Sequence, residues 1–453
     1  MRKISIFLWI LLFLLSEPFQ TAASEPLTLE DSIKTALDQS LSVQSAEETV
    51  KAKEFEELSL KADFFPKFSA GYSYTRLDSN TVNDAKYTTY YYDPTTNAHY
   101  PKHVSPSEAN NYAFNITGAQ PIFTGWALTV SRELASLGVD TAKIQKETVI
   151  QNLILDVKGA YFGILKAEKL ENVAKQAVEQ LKANLEVSQA FYDEGIIAKN
   201  ELLQTEVQMA QARQNLITAT NRVEIARSLF NMLLRRGLNE HVNIEDILDY
   251  NPVDLTLDQC TQRAELNRTE IKELALNVLA AEKNVGLNKS GYYPSVTLIG
   301  NYQREADSIL LDSGAGGDVD NWTITLEGKW IFWEWGKKKH DVSSAKANLR
   351  KANYILQEIK DNIQLEVKET YLSLREAEKN IQVAKKAVDQ AEENFRMNEE
   401  RYKQQISTST DVLDALTLLT QAKTNYFNAL SEHNIAWAKL ERAMGEGYER
   451  EGQ

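Results

Sequence analysis

Proline is missing from two long stretches of this chain of 453 residues: none of its nine prolines falls between Pro121 and Pro252, and none follows Pro294. Interior proline removes a helical hydrogen bond and clashes with the preceding turn, so these are the intervals in which very long helices are permitted. Cysteine is nearly absent too. The single Cys260 excludes an intramolecular disulfide, and no cysteine lies where lipid attachment after signal cleavage would need one. A lone thiol of this kind reads as a partly buried, inert side chain. Histidine is sparse: His99, His103, His241, His340 and His433 form no cluster, and only His99 and His103, four apart in a proline-containing loop, leave metal binding open beside a solvated-loop reading. The stretch "LDSGAGGDVDN" (Leu311 to Asn321) lacks the spaced ligands and closing Glu of a calcium loop, and its Gly and Asp content suits a strand connection. With no phosphate-binding loop, nucleophile elbow or zinc motif, the chain is expected to be no enzyme and to need no cofactor.

Positive charge is in deficit. The formal net charge of −14 argues against nucleic acid as a partner, because neutralising phosphate takes a basic face. Beyond residue 24 no apolar run approaches the roughly 20 residues of a membrane-spanning helix. The one apolar run, Ile4 to Leu15, follows basic Arg2 and Lys3 and precedes the small residues Ala22, Ala23 and Ser24, which describes a secretory signal peptide over 1–24. It is too short for an N-terminal membrane anchor. With 43% hydrophobic and 25% charged residues, the rest has the composition of an ordered protein.

In the proline-free intervals apolar residues recur at spacings of three and four: Ile150, Leu153, Val157, Ala160, Ile164, Ala167, Leu170, Ala174, Ala177 and Leu181, and again Leu413, Leu416, Leu419, Ala422, Tyr426, Ala429, His433, Ala436, Leu440 and Ala443. These are narrow seams on otherwise polar helices. A helix over 127–192 would be about 100 Å long, which suits a coiled coil or an elongated helical wall.

The two halves repeat each other. "LTLEDSIKTAL" (Leu27 to Leu37) matches "LTLDQCTQRAE" (Leu255 to Glu265) at an offset of 228, which also relates Pro66 to Pro294. Tyr161 and Tyr371, Tyr192 and Tyr402, Leu203 and Leu413, and "QARQN" and "QAKTN" match at 210. The difference of 18 residues falls in Leu77 to Asn110, rich in Tyr, Asn, Asp, Thr and Pro, which reads as a long loop. The expected layout is a first repeat over 25–250 with strands 66–77 and 111–123 and helices 127–192 and 200–236. A second repeat over 251–445 has strands 294–304 and 321–332 and helices 337–403 and 410–444, with a short tail over 446–453.

The strands alternate: in the last, Trp322, Ile324, Leu326, Gly328 and Trp330 face away from Thr323, Thr325, Glu327 and Lys329. Strands of about 10 to 12 residues, apolar on one face and polar on the other, match a transmembrane β-barrel. Trp126, Trp330, Trp333 and Trp335 at one end and Trp322 at the other stand where membrane-interface aromatics belong. The competing reading is a soluble sheet covered on its apolar face, but nothing further is available to cover it. Four strands cannot close a barrel, whose minimum is about eight, and an open edge in lipid leaves backbone groups unsatisfied. The barrel is therefore expected to be shared among chains.

The signal peptide, the duplicated layout, the strand pairs opening at Pro66 and Pro294, and above all "STSTDVLDALTLLTQAKTNY" (Ser407 to Tyr426) resemble the TolC-type outer-membrane channel family over essentially the whole mature chain. The resemblance implies a fold that is mainly α with a small β part. Four strands from each of three copies make a twelve-stranded transmembrane β-barrel, continued by a long periplasmic α-helical barrel. It implies a homotrimer in outer-membrane lipid, partnered by a periplasmic adaptor and an inner-membrane transporter, serving as a passive exit duct for efflux or type I secretion. A coiled-coil structural protein and a stand-alone diffusion porin remain the rivals from the residues alone.

The two helical hairpins turn at "YDEGIIAKNELL" and "YKQQISTSTDVL". The resemblance makes Gly195, Ile196, Ile197, Ala198, Ile406, Ser407 and Thr408 the adaptor-docking tips; without it they are ordinary interhelical turns. Asp411 and Asp414, three apart, share a helix face and match the family's acidic periplasmic entrance, while the alternative is N-terminal helix acidity. Tyr402 matches a tyrosine that locks the entrance, with Asn200 and Glu201 in the facing positions. Ser407 stands where some members carry an arginine of that lock, so the closed state is expected either to rely on Tyr402 with Glu201 or to be looser.

Overall fold

The computed structural model describes residues 26–78, 87–104, 109–306, 308–311 and 319–446. The expected signal peptide, most of the Leu311–Asn321 connection and the tail beyond 446 lie outside the described residues. In chain order the elements are α1 (Leu29–Gln39), α2 (Leu41–Ala62), β1 (Lys67–Arg76), β2 (Tyr87–Asp93), β3 (Ala98–Val104), β4 (Asn110–Phe123), α3 (Ala127–Asp193), α4 (Lys199–Leu233), α5 (Leu257–Asn267), α6 (Thr269–Ser290), β5 (Ser295–Ala306), β6 (Val319–Lys329), α7 (Lys337–Lys403) and α8 (Ser409–Ala443).

The duplication is visible in the lengths. Helices α1 and α5 have 11 residues each, α2 and α6 22, α3 and α7 67, α4 and α8 35. The helix expected before each first strand is in fact two. Ser40 and Arg268 take extended ψ angles, and each turns its N–H back to the preceding helix, at Ala36 and Ala264. Thr28 and Thr256 cap α1 and α5 by accepting from the backbone N–H of Asp31 and Gln259.

The segment read as a loop, Leu77 to Asn110, contains an antiparallel hairpin of β2 and β3. The reason is composition: "YTTYYYD" is rich in residues that favour a pleated strand, which outweighs the Asn and Pro around it. His99 and His103 both fall on β3. Four residues along a strand span about 13 Å, against the roughly 6 Å of one helical turn, so the spacing gives no paired metal ligands. Among the described residues no group of three or more His, Cys, Asp or Glu could hold a metal ion.

The described residues of Met1–Ala46, Lys146–Thr269 and Lys360–Gln453 form one compact unit, and Glu47–Gln145 with Glu270–Ile359 the other. Each unit thus draws on both repeats. In the second unit β1, β4, β5 and β6 form one antiparallel sheet in that order. The register pairs Phe68 with Gly118, Ile116 with Tyr302, Leu298 with Leu326 and Tyr302 with Trp322, so the even-numbered side chains share one face. That face is apolar and exposed, with Phe68 at 77%, Trp322 at 71% and Ile324 at 70%. The other face carries Ser69, Thr117, Asn301, Thr323 and Thr325, and Thr117 donates to Asn301 Oδ1 across it at 2.9 Å. The expected alternation therefore holds across all four strands. Beside the sheet, Val285 of α6 packs with Val342, Ala345 and Leu349 of α7.

In the first unit the core gathers around Tyr161, Phe230, Ile164 and Leu234, with Ile33 and Ala36 from α1 and Leu430 from α8. The residues before α1 pair with the segment after α4: Leu27 N donates to Asn243 at 2.9 Å and Glu245 N to Leu27 at 3.3 Å. His433 is buried 4.0 Å from Glu378 and edge-on to Tyr250, and burial pushes its pKa down.

Candidate functional site

The two hairpin tips lie in the first unit and close in the same way. Helix α3 ends with Gly195 N donating to Tyr192 O at 2.9 Å and Ile196 N to Phe191 O at 2.8 Å. Helix α7 ends with Gln405 N donating to Tyr402 O at 2.9 Å and Ile406 N to Arg401 O at 2.8 Å. Both are Schellman ends, whose pivot residue takes a positive φ: Gly195 at 75° and Gln405 at 60°. The second tip thus holds by hydrogen bonding a residue that glycine would suit better. Past each pivot an isoleucine points outward, Ile196 at 43% exposure and Ile406 at 61%. Gly195, Ala198 and Thr408 are exposed, while Ile197 and Ser407 are half-buried.

The returning helices start differently. Thr408 and Asp411 form a capping box: Asp411 N donates to the Thr408 hydroxyl at 3.3 Å, and Thr408 N and Oγ1 donate to Asp411 Oδ2 at 2.9 and 2.8 Å. These bonds hold the Asp411 pKa below its usual value, so it stays ionised. Asp411 therefore has a capping role of its own, and Asp414 stands exposed one turn further on. In the first hairpin Ala198 offers no side-chain cap to α4, and Asn200 and Glu201 occupy its first turn.

Tyr402 is 3% exposed. Its hydroxyl bonds the Ser188 hydroxyl at 2.9 Å, and its ring meets Phe191 edge-on with centroids 5.5 Å apart. Within the chain, then, the partner of its hydroxyl is the buried Ser188 on α3, while Asn200 is exposed and Glu201 half-buried at the start of α4. A second buried hydroxyl pair, Thr205 with Ser409 at 3.0 Å, joins α4 to α8. Ser407 donates to Asn398 O at 3.3 Å, tying the turn to its own helix. Below these, Leu181, Met209, Ala212, Leu413 and Leu416 form an apolar cluster. Ser188, Thr205 and Ser409 escaped the sequence reading, since a lone hydroxyl on a helix carries no motif; the only signal was their position on the seams.

In the second unit the expected interface aromatics gather at the strand–helix junctions. Trp126 meets Phe123 and Tyr293 edge-on at 5.1 and 4.9 Å, and Trp333 meets Trp335 at 5.7 Å. Trp330 Nε1 donates to Tyr292 O at 3.1 Å. Both junctions use two consecutive residues of positive φ, Gly125 with Trp126 and Trp335 with Gly336. Gly125 has no room for more, since a Cβ there would lie 2.6 Å from Ser290 O. Trp322 on β6 stands eight residues before Trp330, which follows the strand directly; at strand rise that is about 26 Å, close to the apolar height of an outer-membrane barrel.

A family model described as "Outer membrane efflux protein" matches residues 32–232 and 260–446, leaving out the connection between the repeats. The outer membrane protein TolC of Escherichia coli is 23% identical over 363 residues, 75% of this chain and 71% of that protein. Nodulation protein T of Rhizobium leguminosarum bv. trifolii is 20% identical over 333 residues, 70% of this chain and 68% of that protein. The fold is similar to the Campylobacter jejuni CmeC outer membrane channel, with a TM-score of 0.78 and 17% identity over 94% of this chain and 87% of that one. The chain therefore belongs to the outer membrane efflux protein family, the TolC-type channels of the outer membrane whose helical part reaches far into the periplasm.

Proposed function

We propose that three copies of the chain close one twelve-stranded barrel and serve as the passive exit duct of a tripartite efflux or type I secretion system, driven by an inner-membrane transporter through a periplasmic adaptor. The observation that supports this most is the open sheet. Its order leaves β1 and β6 as free edges, and its apolar face is bare. Neither is tolerable in lipid as a single copy, whereas pairing β1 of one copy with β6 of the next satisfies every edge. The same logic applies to isolated apolar side chains on the outer helical faces, such as Val207, Ile217 and Ile225 on α4, which a neighbouring copy would cover. The adaptor reading rests on the tips, where Ile196 and Ile406 are exposed on turns held firmly by backbone bonds.

A photoreactive residue at Ile406 tests the adaptor arm in living cells. Crosslinking to a periplasmic adaptor identified by mass spectrometry is the expected result. Capture of nothing, or only of a neighbouring copy by a correctly assembled channel, would move the diffusion porin ahead.

The same trimer would bring Asp411 and Asp414 of each copy to one axis as six carboxylates, a cation-attracting entrance. Block by hexaamminecobalt(III) from the periplasmic side is expected, with the half-blocking concentration rising about tenfold or more when Asp411→Asn and Asp414→Asn are combined. An unchanged block would leave Asp411 with its capping role alone.

A further inference from the structure

Between the sheet and α7 lies a feature the channel reading does not use. Strand β6 enters α7 through Trp330, Ile331, Phe332, Trp333, Glu334, Trp335 and Gly336, and Lys337, Lys338 and Lys339 follow at once. The apolar members are open to solvent, Phe332 at 78% and Trp335 at 88%. Trp330, Phe332 and Trp333 border a hollow of about 180 Å³ whose lining also includes Tyr292 and all three lysines.

The charges there do not balance. Lys337 pairs with Asp341 at 2.9 Å, and Lys338 lies 3.8 Å from Glu334 while also donating to the carbonyl of Ile331. Lys339 is exposed and has no acidic partner among the described residues. One positive charge is left over in a chain of net charge −14. The other repeat carries no such lysines: at the matching offset of 210 stand Ala127, Leu128 and Thr129. The hollow is therefore a property of one junction per chain and not of the duplicated architecture.

Its surroundings say what kind of anion fits. Trp330 follows directly on β6, whose exposed even-numbered face of Trp322, Ile324 and Leu326 faces lipid in an outer-membrane channel. The helix starting here is too polar to cross a membrane, so the junction marks the boundary on the periplasmic side. That leaflet offers a phosphate attached to an acyl chain. We propose that this hollow binds the headgroup of an anionic phospholipid, its phosphate held by Lys337, Lys338 and Lys339 and its acyl esters lying against Trp330 and Trp333. Each lysine near an anionic lipid surface contributes an attraction that amounts to about fivefold in binding, and the indole rings favour the headgroup depth.

Native mass spectrometry of the full-length assembled protein, with dioleoyl-phosphatidylglycerol and dioleoyl-phosphatidylcholine supplied together, tests this. The wild type should retain phosphatidylglycerol about fivefold over phosphatidylcholine. Lys339→Gln should bring the two near parity, Lys339→Arg should keep the preference, and Lys143→Gln, on the surface of α3, should not alter it. Excess inorganic phosphate should leave the lipid bound. Equal retention of both lipids by the wild type, an undiminished preference after Lys337→Gln with Lys339→Gln, or displacement by inorganic phosphate would each overturn the proposal.

Discussion

Tyr161→Ala is expected to lower the local stability of the first unit by about 4 kcal/mol, the cost of deleting a large buried aromatic side chain. The side chain is 0% exposed, with Phe162 and Phe230 edge-on at 6.0 and 6.1 Å. Its single hydroxyl proton serves two carbonyls, Leu27 at 3.1 Å and Glu245 at 2.8 Å, the partners that hold the chain before α1 to the chain after α4. Burial pushes the phenol pKa up to about 12, so it remains a donor at any physiological pH. The readout is amide hydrogen exchange at Leu27 and Glu245, whose N–H groups make the bridging bonds. Protection there should fall about a thousandfold in Tyr161→Ala and only about tenfold in Tyr161→Phe, which keeps the ring and loses the hydroxyl. Equal losses in the two variants would mean that the hydrogen bonds, and not the packing, hold this corner.

Arg268→Met is the second large effect, about 3 kcal/mol. Arg268 sits at the break between α5 and α6 and is 5% exposed. It donates to Glu366 through its two terminal guanidinium nitrogens, Nη1 and Nη2, at 3.0 and 2.8 Å, and more weakly to the last carbonyls of α8, Arg442 and Ala443, at 3.4 Å each. Methionine fills most of the space but leaves the α8 carbonyls without this donor. Glu366→Gln should cost far less, under about 1 kcal/mol, because the Glu366 side chain is 46% exposed and water can replace the lost charge partner. The backbone approaches closely here: a Cβ on Gly445, at φ 73°, would lie 2.7 Å from Arg268 N. Thermal melting of the assembled protein, followed at both substitutions, separates the two. Comparable losses would show that the ion pair matters more than the helix end it serves.

Both residues show how the repeats have diverged. Tyr161 has Tyr371 as its counterpart, yet in the second repeat it is Arg375, stacked 5.0 Å over Tyr371, that donates to Val253 O at 3.0 Å and Leu255 O at 2.7 Å. Arg268 corresponds to Ser40, which stands at the matching break between α1 and α2 and whose hydroxyl instead bonds Ser42 at 2.8 Å and accepts from Val43 N at 3.4 Å. Matching backbone geometry has been kept while the side chains that secure it have changed.

Helices α3 and α7 were legible because proline is absent and the apolar seams keep a helical period over many turns, a signal that accumulates with length. The sheet was legible because strict alternation has only one structural reading, and the offsets tied each strand to its counterpart. The β2–β3 hairpin was missed, since composition alone reads Asn and Pro as loop even where a run rich in tyrosine and threonine forms a strand. The breaks at Ser40 and Arg268 were missed because neither is a proline or a glycine; what ends each helix is a backbone turn that no local residue type announces.

By itself, then, the amino-acid order determined the long helices, the duplication and the two faces of the sheet, all patterns that repeat along the chain. Tertiary structure alone decided that Tyr402 bonds Ser188, that Thr205 meets Ser409, that Asp411 spends its carboxylate on a cap, and that three lysines border an aromatic hollow. The physical reason is distance along the chain. Periodicity is a local sum over neighbours, whereas residues 188 and 402 meet only after two long helices have been laid side by side, and a hydroxyl pair leaves no trace in the sequence until they are.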